Sequence, residues 1–341
     1  MRVIGIDPGT VSIDLCGLDN GRLFLDRTLP TADALANPST LIELLDSAGP
    51  LDLIAGPSGY GLPLKAARDL TDADLRLAYL AAEGESGGIG GLRALMRALS
   101  KTSMPVLLTP GVIHLPSVPA HRKVNRVDMG TADKVCAAAL AIHEEMERRS
   151  CSPEDVSFIL VELGGAFTAA LAVEYGRIVD GVGGTGGPLG ARAAGAWDGE
   201  VAFLAGTVSK DLLFEGGMSA VGNDAIAWAA YIEGVVKTIA SLTVSVPGNR
   251  TVILSGRHAG EVHAGLRERS HMTDLQLSLL NGFARVAKQG AQGAALIAEG
   301  LAGGRCATIV ERLGIRDARG TALDHLYVIS PALARARIGI V

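Results

Sequence analysis

Two carboxylates, Asp7 and Glu162, each close an apolar run and stand two residues before a glycine, in IGIDPGT and ILVELGGAFT. A buried strand that ends in an acid and turns through glycine places one negative charge beside several free amide N–H groups. Two such turns facing each other can clamp a polyphosphate while the acids hold Mg²⁺ through water. The expected contacts are Gly9 and Thr10 on one side and Gly164, Gly165 and Thr168 on the other, with Asp7 and Glu162 toward the metal. A second group of reactive side chains runs from His114 to Lys134, where His121, Arg122, Lys123, Arg126 and Lys134 crowd around Asp128 and Asp133. A solvated surface loop is the plain alternative for such a charge run. Its arginines and histidines also suit charge-assisted contacts to a carboxylate or phosphate.

The elements that must hold these groups repeat. Val3 to Asp7 reads as a buried strand, Pro8 to Thr10 as a tight turn and Val11 to Leu18 as the returning strand; Asp19-Asn20-Gly21 then turns into Arg22 to Asp26. The stretch ILVELGGAFTAALAVEYGRIV, from Ile159, matches this β-meander at a constant offset and without a gap. Asp7 falls on Glu162, Gly9 on Gly164, Asp19 on Glu174, Gly21 on Gly176 and Arg22 on Arg177. Two unrelated hairpins would share glycines by chance, but the acid in register favours a duplication. From Thr131, the spacing of Val135, Ala139, Ile142 and Met146 predicts a helix with Thr131 as its N-cap and Asp133 in its first turn. That helix closes a first domain, residues 1–150, and a second, residues 151–341, opens at Cys151-Ser152-Pro153.

Further strands are expected at Leu51–Ala55 and Val106–Thr109, and helices at Leu75–Leu80, Leu92–Leu99 and Asp224–Leu242. The stretch EGESGGIGG separates the first two helices, and Gly183 to Gly190, GGTGGPLG, reads as a mobile loop or flexible linker.

Composition bounds the function. A chain of 341 residues has room for two domains, and its 44 glycines with only 4% aromatics imply an aliphatic core and close backbone approaches. The net charge of -5, without a basic block, argues against nucleic acid or an anionic membrane as partner and favours a small ligand. No stretch reaches the roughly 18 unbroken apolar residues of a membrane span. The four cysteines, far apart and without CxxC spacing, argue against a zinc ribbon or disulfide framework and fit a reducing cytoplasm.

With the duplicated acid-glycine hairpins in place, the chain resembles the superfamily of acetate and sugar kinases, heat-shock chaperones and actin. The resemblance implies an α/β fold of two ribonuclease-H-like domains with a nucleotide cleft between them, and ATP with Mg²⁺ as cofactors. It implies an adenosine loop after a later strand, supplied by TVILSGRHAGEVHAGL with Ser255, Gly256 and Arg257. It also implies two connecting helices, at MGTADKVCAAALAI and GAQGAALIAEGLAGG, whose Ala and Gly content lets helices cross closely. The superfamily usually carries Asp where Glu162 stands, which alters the metal geometry expected there.

GTADK is similar to the G-x-D-R stretch of bacterial type III pantothenate kinases, which puts the role of acceptor base on Asp133, with Asp128 in reserve and Arg122 and Arg126 on the acceptor. HRKVNRVDMGTADK together with GPSGYGLP resembles a mainly archaeal family of predicted butyrate kinases. The function implied is transfer of the γ-phosphoryl group of ATP to a small acidic metabolite, a short-chain carboxylate or a hydroxy acid. A homodimer is the assembly allowed for. Two alternatives remain. One is an ATPase switch in the manner of actin or the chaperones. The other is the activator ATPase of 2-hydroxyacyl-CoA dehydratases, whose GAxGAA resembles Gly290–Ala295 but whose cluster cysteines have no counterpart between Gly164 and Gly216.

Overall fold

The computed structural model describes residues 1–9, 11–81, 90–269 and 274–340. It contains two sheets built to one plan. In the first, β1 (Arg2–Pro8), β2 (Ser12–Asp19) and β3 (Arg22–Pro30) form an antiparallel meander, and β4 (Leu53–Pro57) and β6 (Val106–Thr109) continue it in parallel beyond β1. A short β5 (Lys65–Ala66) closes that edge, giving the order β3-β2-β1-β4-β6-β5. In the second, β7 (Phe158–Leu163), β8 (Thr168–Glu174) and β9 (Arg177–Val182) repeat the meander. Here β10 (Thr251–Ser255) and β11 (Gln276–Leu279) extend it in parallel, in the order β11-β10-β7-β8-β9. Both sheets are therefore ribonuclease-H-like, and the chain is an α/β protein of two such units.

The duplication extends to backbone detail. Gly9 N donates to Ser12 O at 2.9 Å, and at the matching place Gly164 N donates to Phe167 O at 3.0 Å. A β-bulge lies at Gly17/Leu18 in the first copy and at Ala172/Val173 in the second. Both hairpins turn through two left-handed residues, Asn20 (φ 49) with Gly21 (φ 75) and Tyr175 (φ 50) with Gly176 (φ 72), the pair that a two-residue hairpin loop requires. Strand ends differ from the sequence reading by one to a few residues.

Two helices join the halves. The first connecting helix, Ala132–Arg149, buries Val135, Ala139 and Ile142, while Met146 packs at its margin. Thr131 caps it by backbone position alone: its hydroxyl donates to Asp133 Oδ1 at 2.5 Å and caps no backbone amide. The second, Gln289–Leu301, is buried over all but its first residue. A Cβ on Gly293 would lie 1.8 Å from Cys136 O, and one on Gly5 would lie 2.1 Å from Ala295 N. The second helix thus rests on the backbone of both β1 and the first helix, an approach that only glycine permits. One hydrophobic core runs through this joint, from Val3 and Cys16 through the two helices to Phe158 and Leu171.

Asp224–Thr243 is long and apolar enough by composition to cross a membrane, but it packs on the second sheet with Tyr231, Ile232, Val235 and Ile239 buried. Gly183–Gly190, expected to be mobile, is tied down: Gly183 N, Gly186 N and Gly190 N all donate to carbonyls, and Asp128 holds Thr185. Of EGESGGIGG, residues 83–89 lie outside the described residues. All four cysteines are free thiols.

Candidate active site

The two meander turns face each other across a cleft of about 690 Å³. Asp7 and Gly9 line it from the first hairpin, Glu162, Gly164 and Gly165 from the second, and Ser255, Gly256 and Arg257 from the turn after β10. Asp128 and Asp133 line it from the start of the first connecting helix and the loop before it. Arg122, Arg126 and Thr168 are not among the lining residues, and Thr10 lies outside the described residues.

The charges in the cleft form a ladder. Lys134 Nζ donates to Asp133 Oδ2 at 2.5 Å and pairs with Glu162 Oε2 at 2.9 Å, linking the first connecting helix to the second hairpin. Burial works against the Lys134 ammonium, but the two carboxylates more than offset it and push its pKa well above the usual lysine range. For Asp133, burial opposes ionisation, yet Lys134 and the Thr131 hydroxyl hold the carboxyl below its ordinary value. Asp7 has no such partner. Burial, reinforced by the charge of Asp133, pushes it up to about 7 against the weaker pull of Lys134 and Lys288.

Lys288 and the second connecting helix complete the first hairpin. Lys288 Nζ donates to Ser12 Oγ at 2.5 Å and pairs with the buried Asp14 at 3.1 Å. A Cβ on Gly290 would sit 2.4 Å from Asp7 Oδ2, so the carboxylate rests against the first turn of that helix, where the helix dipole favours negative charge. Sequence reasoning set Lys134 in the reactive cluster without giving it a role in the site, and it missed Lys288. Lys134 stood in the motif beside Asp133. For Lys288 the one available signal was its place directly before the second connecting helix.

The turn after β10 is shaped for close approach. Ser255 pairs with Glu162 in the parallel ladder, and its Oγ is buried without a hydrogen-bond partner. Gly256 has φ +91, and a Cβ there would lie 2.6 Å from Leu163 O.

The basic cluster lies elsewhere than its sequence neighbourhood suggested. Arg122 Nη1 donates to Val179 O at 2.7 Å and its Nε lies 3.7 Å from Asp180, so it ties a short helix, Ala120–Lys123, to β9. Arg126 is exposed near Gly186, and Lys123 donates to Leu115 O. Asp128 accepts from Gly130 N with Oδ1, and from Thr185 N and Oγ1 with Oδ2. Although it lines the cleft, both its oxygens are engaged in fixing the 183–190 loop. Thr168 is buried, with its hydroxyl toward Tyr231 Oη at 3.4 Å.

Duplicated ribonuclease-H-like halves around such a cleft define the fold of the acetate and sugar kinase, heat-shock chaperone and actin superfamily. The chain belongs to the family described as "Protein of unknown function (DUF1464)", whose model matches residues 5–328. No curated protein matches the sequence. Solved structures do match. A propionate kinase from Francisella tularensis subsp. tularensis SCHU S4 superposes with a TM-score of 0.56 at 11% identity, covering 86% of this chain and 98% of that one. The Porphyromonas gingivalis acetate kinase gives 0.55 at 13%, covering 78% and 85%. The Entamoeba histolytica acetate kinase gives 0.54 at 12%, covering 77% and 84%. At these identities the likeness is one of fold.

Proposed function

We propose that this protein is an ATP-dependent kinase that transfers the γ-phosphoryl group to a small acidic metabolite, a short-chain carboxylate or a hydroxy acid. The observation that carries the reading is the ladder Asp133–Lys134–Glu162, which sets a base-like carboxylate, a fixed ammonium and the second hairpin acid side by side in the cleft. The acetate and propionate kinases that share the fold support the reaction class, and the resemblance to predicted butyrate kinases makes a four-carbon acid the first acceptor to test.

The residues present fit the nucleotide. Ser255 offers an unpartnered hydroxyl beside a left-handed glycine, and Arg257 lies over Gly165, a Cβ on which would be 3.9 Å from its Nη1. They also fit one hard cation at Asp7. Among the described residues no three His, Cys, Asp or Glu side chains converge as a metal cage. Mg²⁺ is usually held by one or two carboxylates together with substrate phosphates, and it would neutralise charge on the β- and γ-phosphates. Glu162, engaged by Lys134, is the weaker candidate of the two acids.

In the transfer, the bond from the γ-phosphorus to the bridging oxygen breaks, a bond to the acceptor oxygen forms and ADP leaves. Lys134 is placed to steady negative charge on the moving group, a role suited to a cation that burial and two acids keep protonated. With a hydroxyl acceptor, Asp133 receives the proton, and its lowered pKa makes it an orienting acceptor more than a strong base. With a carboxylate acceptor no proton moves, and Lys134 screens Asp133 from the incoming anion. Since Arg122 and Arg126 lie outside the cleft lining, Lys134 also takes over the acceptor's negative end.

The test is ADP release with Mg-ATP and a panel of short-chain carboxylates and hydroxy acids. Stimulation by at least one acid is expected, with Asp133→Asn lowering turnover by roughly 10²- to 10⁴-fold on a hydroxy acid and leaving ATP affinity intact. Lys134→Met should lower turnover on either class. Absence of stimulation by any acid would overturn the proposal.

A further inference from the structure

One wall of the cleft has an orphaned polar group that the phosphate chemistry does not use. Tyr79, at the end of the helix Asp72–Tyr79, is 3% exposed and lines the cleft, and its Oη has no hydrogen-bond partner. Beside it in the lining stand Gly59, Tyr60 and Leu92. This wall adjoins the ladder through the backbone: Ala132 N, one residue before Asp133, donates to Gly59 O at 3.0 Å, and Tyr60 N donates to Ala78 O at 2.9 Å. Among the described lining residues the cations are Lys134, Arg257 and Lys288, all tied to the hairpins or the adenosine turn. The wall itself is aromatic and aliphatic, with two phenol hydroxyls, of which that of Tyr79 is the buried one without a partner.

We infer that Gly59, Tyr60, Tyr79 and Leu92 form the acceptor's tail subsite, and that it selects a short apolar carbon chain carrying a neutral oxygen that accepts a hydrogen bond from Tyr79 Oη. The inference rests on the kinase reading of the same cleft and deepens it by naming the substrate class. Burial raises the Tyr79 phenol above the usual tyrosine range, against a smaller opposite pull from Arg93, so the group stays a donor. Because this hydroxyl is already buried without a partner, a ligand oxygen that reaches it gains a hydrogen bond, whereas a methylene in the same space gains none. A site built to bond an oxygen rejects the analogue that lacks it far more strongly than an apolar pocket rejects an extra methylene.

Pentanoate and 4-oxopentanoate differ only by a carbonyl in place of one methylene, and they make the test. Each is titrated calorimetrically into the protein holding Mg²⁺ and a non-hydrolysable ATP analogue. The oxo acid should bind about 10- to 100-fold tighter than pentanoate. Tyr79→Phe should erase the difference, with a melting temperature equal to or above the wild type because it deletes an unpartnered oxygen. Equal binding of the two acids to the wild type, failure of both to bind, or a preference that survives Tyr79→Phe overturns the subsite. ADP release reports on the kinase reading separately. Stimulation by either acid upholds transfer whatever Tyr79 does, and a binding preference with no stimulation by these two or by any acid of the panel overturns the kinase reading while leaving the Tyr79 contact standing.

Discussion

Replacing Asp7 with asparagine should stabilise the nucleotide-free protein above neutral pH. Burial, then the charge of Asp133, lifts the Asp7 carboxyl from 3.8 to about 7. Below pH 3.8 the folded and unfolded chains both carry the proton. Between 3.8 and about 7 the folded chain keeps a proton that the unfolded chain has released, so stability falls as pH rises, and above about 7 the loss is complete. A displacement of about three pH units, at 1.36 kcal/mol each, sets an upper limit of about 4 kcal/mol. Asparagine keeps the shape and removes the charge. Asp7→Asn should therefore raise the melting temperature by several degrees at pH 8.5 and by less than half as much at pH 5. Mg-ATP should reverse the order at pH 8.5, because the wild type gains stability as ligand saturates it while the variant gains little. In the wild type, Mg-ATP affinity should weaken as pH drops below about 7, where the proton competes with the cation for Asp7. Scanning calorimetry across pH, with and without Mg-ATP, gives every quantity needed. A variant that melts at or below the wild type at pH 8.5 would refute the strained-acid account, and one that binds Mg-ATP normally would remove Asp7 from the metal side.

Ser255→Ala should leave the melting temperature unchanged or slightly higher and weaken nucleotide binding about 5- to 10-fold, as expected for one lost hydrogen bond; unchanged calorimetric affinity would move the nucleoside elsewhere. Gly256→Val is a harsher probe of the same turn, since φ +91 and the Leu163 carbonyl at 2.6 Å make the substitution strain the backbone itself. Arg126→Ala should leave the acceptor's half-saturation unchanged, whereas Arg122→Ala should cost about 1–3 kcal/mol in urea denaturation by leaving Val179 O without the Arg122 donor and Asp180, which keeps Ser245 Oγ and Gly181 N, without its countercharge. A raised half-saturation in Arg126→Ala would return that arginine to the acceptor.

Local signals made the two hairpins of the candidate site readable from sequence. The apolar runs Val3–Asp7 and Ile159–Glu162, the paired hairpin turns and the glycines after each acid are short-range features, and they recur in the structure at matched positions down to the bulge in the second strand. The rest of the cleft was not readable in the same way. Arg122 and Arg126 are close to Asp133 in sequence, yet a four-residue helix and a left-handed Asn125 (φ 53) turn the segment toward β9 and the C-terminal region, where Asn125 N bonds His325 O. Tyr79 and Lys288 reach the cleft only through tertiary packing, and no spacing rule links them to Asp7. The mobile reading of Gly183–Gly190 rested on composition, which does not reveal that a buried Asp128 fastens the loop.

The helix Gln289–Leu301 also constrains the order in which the chain can become a protein. It is made late, yet it covers β1, β2 and β4, the earliest central strands, and its Gly293 fits directly on Cys136 of the first connecting helix. The first half therefore lacks one side of its core until residues 289–301 have been translated. At about 5–20 residues per second, the interval between completing β6 and releasing this helix is on the order of ten to forty seconds. Ribosome-arrested chains that stop before Gln289 should leave the first sheet open to protease, and chains extended past Leu301 and clear of the exit tunnel should protect it. Two halves that look like tandem copies along the sequence thus mature as a single folding event.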